Sequence, residues 1–126
     1  MGSERIETGK RGEGIALQFL KERGMRLVAR NWRSGHKELD LIMDDGEFLR
    51  IVEVRSLSYP NLKSPAESVD RQKQRRVLGA ARKFASANSV RREIVLDIVS
   101  VVFKGGESVE ETVEIEYIPN ACAPQW

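Results

Sequence analysis

The chain has 126 residues, 40% of them hydrophobic and 32% charged, with a formal net charge of +2. That is the balance of a globular protein able to bury a core as a single domain without disulfides. The one cysteine, Cys122, excludes an internal bridge, and no apolar run approaches the ~20 residues that span a bilayer. With a polar N-terminus lacking a signal-peptide core, these features predict a cytoplasmic protein and no membrane.

In chain order, residues 1–10 are expected to fray. Residues 12–23 place Ile15, Ala16, Phe19 and Leu20 at helical spacing, and Gly24 ends that helix. Residues 25–32 alternate as a strand. Residues 38–43 and 48–55 form a hairpin around Asp45-Gly46, a strong two-residue turn signal. After a loop with Pro60, Ser64, Pro65 and Glu67 supply an N-cap, a first-turn proline and a capping box for a helix running to about residue 88. Residues 93–103 read as a buried strand, Lys104-Gly105-Gly106 as a turn, and residues 109–118 as an outer strand. The fold class is therefore α/β: a single-domain mixed β-sheet flanked by helices, in the order αβββαββ.

Charge is unevenly spread. Residues 71–92 carry Arg71, Lys73, Arg75, Arg76, Arg82, Lys83, Arg91 and Arg92 and no acid; residues 107–116 carry five glutamates and no base. The basic stretch suits a polyanion such as nucleic acid, or is a solvated helix face. Within the hairpin, a two-residue turn would pair Asp44 with Glu47, Glu38 with Glu53 and Asp40 with Ile51. Side chains alternate along a strand, so Glu38, Asp40, Glu53 and Arg55 would then leave one face, away from the turn, together with Ile42, Leu49 and Ile51. The other face would carry Leu39, Leu41, Met43, Phe48, Val52 and Val54, with Arg50 as the odd member. Three carboxylates so close repel unless one keeps its proton or a cation such as Mg²⁺ joins them. The alternative is a surface ion-pair network. Lys73 falls in the middle of the apolar stripe of the second helix, between Val69 and Val77, and either reaches the sheet or snorkels at its edge. Glu13 rides the edge of the first helix's stripe, where it either favours the helix dipole or aims at the same acids.

Gly12-Glu13, Asn31-x-Arg33, Glu38-Leu39-Asp40-Leu41-Ile42, Val52-Glu53-Val54-Arg55, Pro65-x-Glu67, Lys73-Gln74-Arg75-Arg76 and Asp97 follow in this order. The set resembles the YraN-like family of small bacterial proteins, itself similar to the restriction-endonuclease-like superfamily and its archaeal Holliday-junction resolvases. The resemblance spans about residues 9–103. It implies a restriction-endonuclease-like fold and a Mg²⁺- or Mn²⁺-dependent nuclease. Asp40 and Glu53 would be metal ligands, with the Val54 carbonyl a third, Glu38 supporting, and Glu13 acting through water. Arg55 stands at the superfamily's lysine position, a departure that puts catalysis in question, since arginine does not give up its proton; Lys73 could take the lysine's role. Arg33, Arg71, Arg75, Arg76 and Arg82 would contact nucleic acid, DNA above all, and resolvase-like relatives imply a homodimer. Two further expectations are a nucleic-acid-binding module without catalysis and a protein-interaction domain with solvated charges. His36, the one histidine, reads as a loop or strand-edge residue.

Overall fold

The structure is a computed structural model that describes residues 2–58, 71–106 and 109–121. Helix α1 spans Gly2–Glu22, starting at Gly2 rather than Gly12; Glu4, Arg5, Glu7 and Lys10 favour the helix, while Thr8 and Gly9 do not. It ends where expected. Gly24 takes φ 91°, its N–H bonds the Lys21 carbonyl, and Met25 N–H bonds that of Leu20, the paired bonds of a glycine C-cap. Strands β1 (Arg26–Ser34), β2 (Lys37–Asp44) and β3 (Phe48–Ser58) follow, then helix α2 (Arg71–Ala87) and strands β4 (Glu93–Gly106) and β5 (Val109–Ile118). The order is the expected αβββαββ. The expected helix start at Ser64 and Cys122 lie outside the described residues.

The five strands form one sheet in the order β1-β2-β3-β4-β5. All neighbours are antiparallel except β3 and β4, and a parallel pair needs a long crossover, here the segment that contains α2. Alternation gives each face its own core. Ala16 and Leu20 of α1 pack on Leu41, Met43, Val52, Val99, Val101 and Phe103. Ala80, Ala81, Phe84 and Ala85 of α2 pack on Ile42, Leu49, Ile51, Leu96 and Ile98. Leu39 corrects the expected alternation, since it joins the α2 side. Its partner Trp32 lies one residue past Asn31, whose φ of 51° breaks the pleat of β1, and Trp32 meets Phe84 edge-on at 5.3 Å.

The hairpin register is also corrected. Asp44 pairs with Leu49, Ile42 with Ile51 and Leu41 with Val52, two residues away from the register of a two-residue turn. Local hydrogen bonds explain it: the Asp44 carboxylate accepts Gly46 N–H, and Asp45 accepts Glu47 and Phe48 N–H, so the side chains build a wider loop. Asp45 also holds Arg50 at 2.6 Å. Arg50 in turn pairs with the fully buried Asp97, 3.0 and 3.1 Å away, which also accepts the Tyr117 hydroxyl and Asn120 N–H. This network explains the odd Arg50 and ties the loop to β4 and β5. Because the slip is an even number of residues, the slip itself moves no side chain to the other face.

Gly12 is buried, and a Cβ on it would fall 1.8 Å from Ser56 Oγ and 3.0 Å from Ser56 Cβ. This close approach presses α1 onto β3 and sets Glu13 beside the sheet. Gly12→Ala is expected to destabilise the protein by ~1–3 kcal/mol through overpacking, despite the ~1 kcal/mol helix-propensity gain. Adding Ser56→Gly should recover most of that loss in denaturant unfolding.

Candidate active site

Strands β2 and β3 and helix α2 enclose a cavity of about 200 Å³. Its polar lining is His36, Lys37, Glu38, Asp40, Glu53 and Lys73; Leu39, Ile51, Val52 and Val77 supply apolar wall. Pockets that enclose drug-sized ligands run to ~300–1,000 Å³, so this one suits a small group such as a phosphate and an ion.

Asp40 and Glu53 both border this cavity. Beyond the Leu41↔Val52 pair, Val54 donates its N–H to Asp40 Oδ2 at 2.9 Å, so this part of Val54 supports the carboxylate directly. Burial, and then the charges of Glu13, Glu53 and Glu38, push the Asp40 carboxyl up to about 6 against the opposing Val54 hydrogen bond. Glu53 is held asymmetrically. Its Oε1 accepts Arg55 Nη2 at 3.0 Å and an ion pair from Lys73 Nζ, while its buried Oε2 has no hydrogen-bond partner among the described residues. Lys73 therefore reaches the sheet instead of snorkelling. An unpartnered buried carboxylate oxygen is costly, and its chemistry, a hard anionic oxygen donor, fits a cation.

Glu13 comes from α1, Glu38 from β2, and both act on Asp40 through their charge. Arg30 lies 4.0 Å from Glu13, and Arg33 3.4 Å from Glu38, so Arg33 is committed to an acid of the site. Arg75, Arg76 and Arg82 stand exposed on α2 and line no part of the cavity; the Arg71 side chain lies outside the described residues. His36 sits in the exposed turn at the cavity wall.

Among the described residues, no three His, Cys, Asp or Glu side chains are arranged to enclose a metal ion. A hard cation such as Mg²⁺ is often held by one or two carboxylates with phosphate and water completing its shell, and the Asp40–Glu53 pair fits that smaller donor set. No helix among the described residues is long and apolar enough to cross a membrane.

Two features were missed in the sequence. One is the Arg50–Asp97–Tyr117 network, whose members are far apart in the chain. The other is the role of Asn31: the sequence marked it in the Asn31-x-Arg33 motif and as an asparagine, tolerant of left-handed backbone, inside a strand, but neither signal placed its amide between two acids.

The shift of Asp40 makes a signed prediction. Its folded value, about 6, lies above the ordinary 3.8, so the favourable protonated form is fully present below about pH 4 and is lost as pH rises through 6. The gap corresponds to a penalty of at most about 3 kcal/mol when Asp40 is ionised. Asp40→Asn, which can still accept the Val54 N–H, is expected to stabilise the metal-free protein by ~1–3 kcal/mol at pH 7.5 and by little at pH 4. Urea unfolding at both pH values checks this; a variant less stable at pH 7.5 contradicts it.

Comparison with known proteins agrees with the sequence motifs. The model of a family described as "Uncharacterised protein family UPF0102" matches residues 12–101. A UPF0102 protein of Nitratidesulfovibrio vulgaris is 36% identical over 122 residues, covering 96% of this chain and 87% of the relative. One from Myxococcus xanthus is 37% identical over 120 residues, covering 94% and 91%. One from Pseudomonas syringae pv. tomato is 34% identical over 121 residues, covering 94% of each. The match over most of the chain, which takes in Glu13, Asp40, Glu53 and Lys73, makes this protein a member of the UPF0102 family, the YraN family.

Proposed function

We propose that this protein is a metal-dependent nuclease that hydrolyses phosphodiester bonds in nucleic acid, with a restriction-endonuclease-like site just beyond the Leu41↔Val52 pair of β2 and β3. The observation that carries the reading is Glu53: one oxygen is bound by two cationic side chains, and the other is buried without a partner in a cavity shared with Asp40. Asp40 and Glu53 would hold Mg²⁺ or Mn²⁺. Such an ion supplies an activated water and polarises the phosphate. A bound cation would favour the ionised form of Asp40, offsetting the burial and neighbouring carboxylates that raise its pKa. Lys73 and Arg55 put positive charge beside Glu53, where they would stabilise negative charge developing on phosphate oxygens. Lys73 thereby supplies the ammonium that Arg55, always protonated, does not replace as a proton donor. The exposed Arg75, Arg76 and Arg82 of α2 would hold the nucleic-acid backbone, with an affinity that falls as salt rises.

One observation favours a second reading, a nucleic-acid-binding protein without catalysis. Lys73 and Arg55 are both engaged by Glu53 itself, which leaves the arginine in place of lysine as a departure that binding tolerates and catalysis does not.

A nicking assay on branched and plain duplexes with Mg²⁺ or Mn²⁺ separates the two. The nuclease reading expects metal-dependent cleavage, abolished by Glu53→Gln and reduced ~100–1,000-fold by Lys73→Met. Equal cleavage by wild type and Glu53→Gln removes the proposal. Salt-sensitive binding with no cleavage selects the second reading.

A further inference from the structure

We infer that Asn31 is a positioning residue of this site, whose side-chain amide clamps the Glu13 and Glu38 carboxylates together beside Asp40; the inference rests on the metal-site reading above. Asn31 lies in β1 between the pairs Arg30↔Leu41 and Trp32↔Leu39, hence across from Asp40. One end of its amide is 3.0 Å from Glu13 Oε1 and 3.1 Å from Glu38 Oε1. Two ionised carboxylates only accept hydrogen bonds, so the atom between them is the NH₂ group, which has two hydrogens to give. Asn31 adopts φ 51° here, a left-handed conformation that most side chains resist.

Charge explains why an amide serves here. Arg30 and Arg33, the neighbours on β1, approach the same two acids at 4.0 and 3.4 Å, but a cation at position 31 would neutralise the acids from within and oppose a metal. Asn31 fixes both carboxylates with neutral donors and leaves their negative charge facing Asp40. Glu13 and Glu38 surround the Asp40 ligand rather than hold the ion themselves, and outer groups of this kind typically contribute ~10–100-fold to metal affinity.

Glycine tests the alternative that Asn31 serves the backbone alone, because it adopts positive φ more easily than asparagine. Mn²⁺ binding to the full chain, followed by the free-ion EPR signal, is compared for wild type and Asn31→Gly, with metal-free melting as a control. The expected result is a melting temperature equal to or above wild type and Mn²⁺ affinity ~10–100-fold weaker. Equal Mn²⁺ affinity overturns the role of Asn31 while leaving the metal site standing. Absence of Mn²⁺ binding in wild type overturns the metal site and this inference with it. Should Asn31→Gly not fold, Asn31→Asp decides. It keeps the left-handed preference but turns the donor into a further carboxylate, so metal-free melting should fall and Mn²⁺ should restore it. Wild-type melting and Mn²⁺ affinity in Asn31→Asp contradict the inference.

Discussion

Asp40 stands half-buried among Glu13, Glu38 and Glu53, and burial with their charges pushes its carboxyl up to about 6. A chain selected for stability alone would not gather four acids against an apolar wall, because each loses hydration and repels the others. The surroundings hold the group together. Val54 N–H supports Asp40, Asn31 bridges Glu13 and Glu38, and Lys73 and Arg55 attend one oxygen of Glu53. What they leave without a hydrogen-bond partner among the described residues is one buried oxygen of Glu53, beside an Asp40 carboxyl raised by burial and the neighbouring acids. Sites that sacrifice stability in this way are where function is usually found.

The scaffold makes this convergence possible through three contacts at a distance from it. Gly12 lets α1 lie against Ser56, which fixes the height of Glu13. The small residues Ala80, Ala81 and Ala85 of α2, buried against the sheet, let the helix sit close enough for Lys73 to reach Glu53. The buried Arg50–Asp97 pair, completed by Tyr117 and Asn120, locks the hairpin loop to β4 and β5. Removing one partner of such a pair is far more damaging than the pair is stabilising, so the network acts chiefly to specify the register of β3 on its neighbours.

Much of this was legible in the residues, and the reasons differ from place to place. The element order could be read from periodicity, because amphipathic spacing is local. Asp40 and Glu53 border one cavity despite an error in the hairpin turn, because the actual register differs by two residues and strand alternation has a period of two; Glu38, next to the displaced Leu39, instead meets Arg33 and Asn31 of β1 beside Glu13 of α1. Lys73 could be picked out because a charge in an apolar stripe is anomalous on the helix itself. The turn was misread because Asp44 and Asp45 bond backbone N–H groups, a competition that the Asp-Gly signal does not reveal. Leu39 was placed on the wrong face because Asn31 interrupts the pleat, and the start of α1 because its first residues lack an apolar stripe. The Arg50–Asp97 pair joins residues 47 apart, and only the folded sheet brings them together.

The central claim is that Asp40 and Glu53 share one divalent cation. Anomalous diffraction from crystals grown with Mn²⁺ examines it directly. The account expects one strong peak between the Asp40 carboxylate and the free oxygen of Glu53. A clean map with no peak at these two residues, or with Mn²⁺ bound elsewhere on the chain, would contradict it.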